Sequence, residues 1–366
     1  MIHAENRRIV IATSPQAEPA PEDACSNREL ARWLAEIQGL EFFDGPPAER
    51  DPRRRYYWVP SETLVGREQA RQLGVQGPLD LFGGYVEQAH QAGKAIVHPL
   101  IEQAALTPKG WAAGFAERVA PVVLDGHSAF CRQDAWRCAS ARLPRGPQRL
   151  KPAGARGGLG QRVVADADEL EAALAAYDEA DYLAGLAIED DLGEVRTHSV
   201  GQAQVSGVLL SYHGFQQQNR NARGELVYGG SDLLVVRGGF DALLGLDLAA
   251  EVRLAIQQGR AFDRAASQCL PHFFASRRNY DVAQGVDAAG HARSGVLEQS
   301  WRVGGASGAE LAALQAFVAD PALQAVRASS FEIFEDKALP ANARVIYRGP
   351  DRRGDFLLKY AMVEDL

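Results

Sequence analysis

The stretch LKPAGARGGLGQRVV, residues 150–164, contains four glycines that follow a lysine and lie between two apolar segments. Glycine adopts positive φ values at little cost, so one interpretation is a surface turn. The alternative is a loop whose backbone N–H groups cover phosphate oxygens, with Lys151 reaching in beside them. Neither G-x-x-x-x-G-K-S/T nor G-x-G-x-x-G occurs in the chain, which excludes two common nucleotide-binding motifs. The rest of the sequence must decide between the two interpretations.

Length and composition predict a globular protein of two or three units. The chain has 366 residues, of which 46% are hydrophobic and 23% are charged. A formal net charge of −8 argues against nucleic acid or an anionic membrane as a partner. The four cysteines form no C-x-x-C pair, so no zinc or redox motif is predicted. No apolar run approaches the ~20 residues of a membrane span, and no signal peptide is visible, so a cytoplasmic location is expected.

The first third of the chain alternates strand-like and helix-like segments, which is typical of a parallel α/β unit. The predicted strands are RIVIAT (residues 8–13), YYWVP (56–60) and KAIVHPL (94–100). The predicted helices are SNRELARWLAEI (26–37), REQARQLG (67–74) and residues 84–92. Ser26 and Glu29 are spaced as a capping box at the start of the first of these helices. We therefore predict an α/β domain over residues 1–125.

After the glycines, the pattern is that of mixed helices and strands. A strand on each side of the glycine-rich stretch precedes a predicted helix, ADADELEAALAAY, for which Asp166 is the N-cap. Residues 183–237 are rich in strands, and NARG (221–224) predicts a hairpin turn. Further helices are predicted over residues 246–266 and 307–319.

A second polar constellation lies in RNYDVAQGVDAAGHARSGVLEQSWRVGG, residues 278–305, around a D-x-x-G turn signal. If Ala289 and Gly290 form the turn centre, Asp281 and Glu298 face each other with Cβ atoms roughly 5 Å apart. Ser300 lies on the same face as Glu298. Facing carboxylates repel each other, so the pair predicts a Mg²⁺ site, because Mg²⁺ takes oxygen ligands. The alternative is a solvated face of the hairpin.

Together these segments resemble the ATP-grasp superfamily of ATP-dependent ligases over roughly residues 100–305. The resemblance depends on the order of LKP with its glycine loop, AIEDD (residues 187–191) and D…LEQS. KPAGARGGLGQ and VLEQSWRVGGAS are similar to a bacterial branch that resembles carboxylate–amine ligases. The implied fold is α+β. Two subdomains that clasp ATP (residues 126–190 and 191–366) follow a Rossmann-like N-terminal domain in the chain.

The resemblance implies roles in nucleotide binding. Lys151 would contact the ATP α-phosphate and the adenine edge. The flexible loop over the β- and γ-phosphates would consist of Gly157, Gly158 and Gly160. Backbone groups of Ala187 and Ile188 would contact adenine, and Glu189 or Glu194 would bind ribose.

The resemblance also implies a metal site and catalytic groups. Asp281 and Glu298 would hold Mg²⁺, with Ser300 at the position where the family usually has asparagine. Arg302 would neutralise the transferring phosphoryl group. The upstream lysine of the family would correspond to Lys109 or be replaced by Arg137.

The reaction implied is activation of a small-molecule carboxylate by MgATP. An amine or similar nucleophile would then attack the acyl phosphate, with release of ADP and phosphate. The resemblance does not decide whether the chain forms a homodimer. Two other functions remain open, namely an ATP-binding sensor without turnover and an ATP-dependent phosphotransferase.

Overall fold

A computed structural model describes residues 9–14, 20–45, 51, 54–154 and 160–364. The strands, numbered in chain order, are β1 (Ile9–Thr13), β2 (Glu41–Phe43), β3 (Tyr56–Pro60), β4 (Leu64–Val65), β5 (Gly84–Val86), β6 (Gly126–Ala129), β7 (Gln148–Pro152), β8 (Arg162–Val164), β9 (Leu186–Asp190), β10 (Gly193–Val205), β11 (Val208–Arg220), β12 (Leu226–Arg237), β13 (Phe274–Ala275), β14 (Arg277–Val286), β15 (Ala292–Ser300), β16 (Ala325–Ile333), β17 (Arg344–Pro350) and β18 (Phe356–Val363). The α-helices are α1 (Pro21–Gln38), α2 (Arg67–Leu73), α3 (Ala113–Val119), α4 (Arg132–Arg142), α5 (Ala167–Ala175), α6 (Glu179–Ala184), α7 (Phe240–Leu244), α8 (Ala250–Cys269) and α9 (Ser307–Ala319). Short 3-10 helices span Pro78–Asp80, Ala89–Ala92, Lys94–Ile96, Ala120–Val122 and Leu143–Arg145. The chain is an α+β protein, as its sequence predicts.

The N-terminal unit contains a parallel sheet in which β1 lies between β2 and β3. Helix α1 connects β1 to β2 and begins at Pro21, earlier than predicted. Proline fits the first helical position because its missing N–H would have no partner there. Ser26 is therefore not an N-cap, and the predicted capping box is wrong. Ser26 lies within the helix, beyond its first turn, and is buried.

The prediction for residues 84–100 is also wrong. Strand β5 replaces the start of the predicted helix, and the predicted strand KAIVHPL begins as the 3-10 helix Lys94–Ile96. Ala95, Ile96 and Val97 are all buried. A short apolar run that is buried on every side does not show whether it is a strand or a helical turn.

A small antiparallel sheet has the strand order β6–β9–β7–β8. Helices α4 and α5 contact each other, and residues of both share one apolar core with this sheet. The predicted cap of α5 is confirmed, because Asp166 Oδ1 accepts a hydrogen bond of 2.9 Å from the Glu169 N–H. The glycine-rich stretch connects β7 to β8, so Lys151 lies on the strand that enters it.

The large sheet is antiparallel and has the order β15–β14–β10–β11–β12–β16–β18–β17. The predicted hairpin at residues 221–224 is confirmed, and Gly224 has a φ of +77°. Helix α9 shares one apolar core with Ala203 and Val235 of the sheet, whereas α8 shares a second core with Val200 and Val236. Among the described helices, none is long and apolar enough to cross a membrane.

The β14–β15 hairpin confirms the predicted pairing of Asp281 with Glu298 for a reason that the sequence did not indicate. Near the turn, Val286 pairs with Ala292, which is one residue out of the predicted register. A bulge opposite Asp281 and Val282 places Leu297 as an extra residue in β15. The bulge restores the register, so the two carboxylates face each other.

Candidate functional site

A cleft of about 810 Å³ is lined by residues of the small sheet, the large sheet and α1. Strands β7 and β9 contribute Lys151 and Glu189 to it. The β14–β15 hairpin contributes Asp281 and Glu298, and Arg302 follows directly after β15. The cleft therefore brings together predicted site residues from distant parts of the chain.

Lys151 is held by a buried carboxylate. Its Nζ lies 2.6 Å from Glu189 Oε1, and the two side chains are 4% and 1% exposed. The other oxygen of Glu189 accepts a hydrogen bond of 3.0 Å from His98 Nε2, since a carboxylate can only accept. Burial opposes ionisation of Glu189, but the charge of Lys151 and the hydrogen bond from His98 lower its pKa to about 2. Glu189 is thus an ionised partner of Lys151 with both oxygens engaged, and its role as a ribose ligand stays a prediction.

The predicted adenine contacts do not face the cleft. Ala187 and Ile188 are fully buried in β9, which pairs with β6 on one side and β7 on the other. Their backbone groups therefore lie inside the sheet. The cleft is lined instead by Asp190 and Leu192, where the chain leaves the sheet.

The second candidate for ribose, Glu194, also lies outside the cleft lining. Glu194 has a φ of +52° and is exposed, at an irregularity in the pairing of β10 with β14. Val195 and Thr197 of the same strand do line the cleft. The structure therefore does not bring Glu194 together with Lys151.

Of the three predicted loop glycines, Gly160 is described and has a φ of +71°. Its carbonyl oxygen accepts a hydrogen bond of 3.1 Å from the Tyr177 hydroxyl. Gly157 and Gly158 lie outside the described residues. The side chain of Gln161, next to Gly160, lines the cleft.

The two facing carboxylates have different surroundings. Burial, and then the negative charge of Glu298, raise the pKa of Asp281. Asn279 Nδ2 donates a hydrogen bond of 2.8 Å to Asp281 Oδ1. Glu298 Oε2 instead lies 2.7 Å from Lys94 Nζ. Burial raises the pKa of Glu298, but the charge of Lys94 outweighs it, so the pKa is lowered.

Lys94 is the site residue that sequence reasoning missed. Its side chain is 4% exposed. The preceding backbone is tied to β15, because Gln299 Nε2 donates to the carbonyls of Gln91 (3.1 Å) and Gly93 (2.7 Å). A lysine directly before a buried apolar run was the available signal, since a buried lysine needs a charged partner.

The two predicted candidates for an upstream cation lie elsewhere. Lys109 is exposed and does not line the cleft. Arg137 forms an ion pair of 3.2 Å with Asp134 on α4 and donates to the carbonyl of Gln103. Neither residue lies beside the facing carboxylates, whereas Lys94 contacts Glu298. Which cation contacts ATP stays a prediction.

Ser300 and Arg302 line the cleft beside the carboxylates. Ser300 Oγ accepts a hydrogen bond of 3.2 Å from Arg277 Nη1, so this oxygen is already shared with a cation. Arg277 in turn forms a buried ion pair of 2.7 Å with Glu310. The Nε of Arg302 lies 3.6 Å from Glu62, and burial lowers the pKa of Arg302.

The cleft offers two carboxylate ligands to one hard cation. Among the described residues, no group of three His, Cys, Asp or Glu side chains converges on one point. Asp281 and Glu298 are nevertheless a facing pair of carboxylates, and the repulsion that raises the pKa of Asp281 would be relieved by a cation. Oxygen ligands of this kind suit Mg²⁺, which usually keeps several waters and binds substrate phosphates.

A family model described as "Protein of unknown function (DUF3182)" matches residues 10–361. A comparison with curated proteins found no match. Similar solved structures include D-alanyl-alanine synthetase A from Vibrio cholerae O1 biovar eltor, with 9% identity over 82% of this chain and 90% of that chain, at a TM-score of 0.42. D-cycloserine synthetase DcsG has 10% identity over 81% and 92% of the two chains, at a TM-score of 0.41. The ATP-grasp ligase PsnB has 13% identity over 82% and 92%, at 0.35. At these scores the likeness is loose, so the function must be argued from the cleft itself.

Proposed function

The chain belongs to the DUF3182 family, and we propose that it is an ATP-dependent ligase of the ATP-grasp kind. One observation carries the proposal. Lys151 and Arg302 line one cleft together with the facing carboxylates Asp281 and Glu298, and the buried Lys94 lies 2.7 Å from Glu298. Phosphoryl transfer needs positioning and charge neutralisation more than covalent chemistry, and these groups supply both.

The nucleotide would lie along the small sheet. Lys151 and Lys94 would bind phosphate oxygens, because Lys151 lines the cleft beside the buried Glu189 and Lys94 lies 2.7 Å from Glu298, which lines the cleft. Leu124, Leu192 and Leu297 line the cleft and would contact the adenine ring. Backbone groups of Asp190 and Leu192 would make the adenine contacts that the resemblance implies for Ala187 and Ile188. The glycine loop would cover the phosphates.

The metal and the transferring phosphoryl group would lie near the β14–β15 hairpin. Asp281 and Glu298 would hold Mg²⁺, which supplies neutralisation of phosphate charge when it is bound. Asn279 positions Asp281 through its hydrogen bond. Arg302 would stabilise the negative charge of the phosphoryl group during transfer.

The reaction would begin with attack of a carboxylate oxygen on the γ-phosphorus, which breaks the bond to the β-phosphate oxygen and releases ADP. An amine would then attack the acyl carbon and displace phosphate. The principal alternative is an ATP-binding sensor without turnover. The hydrogen bond between Arg277 and Ser300 favours it, because the positive charge of Arg277 beside that oxygen disfavours a metal ion there.

The nucleotide products formed from ATP distinguish these functions. We expect ADP and phosphate, and no AMP, when the protein is incubated with MgATP and pooled carboxylates and amines, because cleavage requires an acceptor in line with the phosphorus. Product nucleotides are separated by ion-exchange chromatography. MgATP binding without ADP formation from any pool would favour the sensor. Formation of ADP together with a phosphorylated product would favour the phosphotransferase. Formation of AMP would contradict the proposed mechanism.

Lys151→Ala should weaken ATP binding by ~1.5–3 kcal/mol, the scale of a charge-assisted hydrogen bond. Calorimetric titration with MgATP measures the change, and circular dichroism tests whether the variant is folded. Lys109→Ala is the matched control and should bind as wild type, since Lys109 is exposed outside the cleft lining. Unchanged affinity in a folded Lys151→Ala protein would contradict the role of this lysine.

A further inference from the structure

One face of α1 presents three polar side chains to the cleft at the end where the N-terminal unit lies. Glu22, Ser26 and Asn27 line the cleft and are only 8%, 9% and 6% exposed. Glu22 Oε2, Ser26 Oγ and Asn27 Oδ1 have no hydrogen-bond partner among the residues that the structure describes. Buried polar atoms are nearly always paired, and leaving an acceptor unpaired is costly. These three atoms therefore indicate a ligand.

The orientation of Asn27 shows which kind of ligand. Its Nδ2 donates to the carbonyls of Thr13 (3.1 Å) and Val59 (3.2 Å), at the ends of β1 and β3. Because both amide protons are used there, only the acceptor Oδ1 remains for a ligand. An ionised carboxylate is also an acceptor only, so Glu22 has the same requirement. The ligand must therefore donate hydrogen bonds.

The charge at this end of the cleft favours a cation. Burial raises the pKa of Glu332, and the nearby charges of Asp23 and Glu22 raise it further, although Lys359 lies 3.3 Å from Glu332. Two nearby cations each already have a carboxylate partner, because Lys359 pairs with Glu332 and Arg302 lies beside Glu62. The unpaired carboxylate oxygen of Glu22 has no such cation among the described residues.

We propose that Glu22, Ser26 and Asn27 form a subsite for the primary ammonium group of an amine substrate. An ammonium group carries three N–H donors, which matches the three acceptor atoms. The subsite rests on the proposed function only in that the amine would be the second substrate of the ligase. The bound ammonium group would give one proton to the Glu22 carboxylate before its nitrogen attacks the acyl carbon. It deepens that function by selecting primary amines over neutral nucleophiles such as alcohols.

Binding of simple probes tests the subsite without a known substrate. Methylamine, butylamine and diaminobutane are titrated by calorimetry into the full-length protein, each against the alcohol of the same length. We expect at least one amine to bind, and to bind at least about tenfold more tightly than its alcohol, because hydrogen bonds to a charged group are involved. Glu22→Gln should lose about tenfold in amine affinity. Glu36→Gln is the control and should retain the amine affinity of wild type. It makes the same change near the other end of α1, where Glu36 forms an ion pair with Arg344.

A stability measurement separates a binding role from a structural one. Glu22→Gln should keep or raise the Tm without ligand, because it removes an unpaired buried charge. A lower Tm would indicate a structural partner instead. Ser26→Ala is a milder second variant and should also weaken amine binding.

The two proposals fail in different ways. MgATP binding without selective amine binding would overturn the subsite and leave the ligase proposal standing. Selective amine binding without MgATP binding would overturn the ligase proposal. Equal affinity of the amines and the alcohols, or of wild type and Glu22→Gln for the amines, would overturn the subsite.

Discussion

Glutamine in place of Glu189 should destabilise the protein by about 3–5 kcal/mol, the usual cost of removing one partner from a buried ion pair. Lys151 would remain buried without its counter-charge, and the one acceptor oxygen of glutamine would replace the two oxygens that now contact Lys151 and His98. Urea unfolding at neutral pH measures the change in the free energy of unfolding. The double variant with Lys151→Met should recover part of the loss, because no unpaired charge then remains.

The same carboxylate predicts a pH dependence. The pKa of Glu189 is lowered from 4.5 to about 2 in the folded protein. Its contribution to stability is therefore present above the unfolded pKa and is lost as the pH falls through the folded pKa. Wild type should lose this contribution between about pH 5 and pH 2, whereas Glu189→Gln should not. Parallel pH curves for the two proteins would show that Glu189 is not ionised beside Lys151.

Asp281→Asn and Glu298→Gln should each lower ADP formation by about a hundredfold or more, because each removes a proposed ligand of the ion that neutralises phosphate charge. The rate is measured with the acceptor pool that supports turnover in wild type. Glu171→Gln, which changes an exposed ion pair with Arg132, is the control and should retain activity. Full activity of either cleft variant would contradict the metal site.

The two variants should differ in stability when a chelator removes divalent ions. The pKa of Asp281 is raised in the folded protein, so its ionisation destabilises the fold as the pH rises through that pKa, and Asp281→Asn should be as stable as wild type or more stable. Glu298→Gln should be less stable, because the buried Lys94 loses the negative charge that lies 2.7 Å from its ammonium group. A loss of stability in both variants would show that Asp281 also has a cationic partner.

Local signals along the chain determined much of the fold. The Asp166 cap, the hairpin at residues 221–224 and helix α9 follow from caps, turn residues and periodicity within a few positions. The pairing of Asp281 with Glu298 also followed from distance to a turn, although a bulge at Leu297 was needed to produce it. Lys151 was identified because it precedes the glycines.

The tertiary structure alone decided which groups share the cleft. Lys94 meets Glu298, and His98 and Lys151 meet Glu189, across long separations in the chain. No local pattern encodes such pairs, because the free energy that selects them comes from burying opposite charges together. Local patterns also predicted Ser26 as a helix cap, and the resemblance implied that backbone groups of Ala187 contact adenine. Only the packing of α1 and β9 against their neighbours shows that Ser26 faces the cleft and that Ala187 does not.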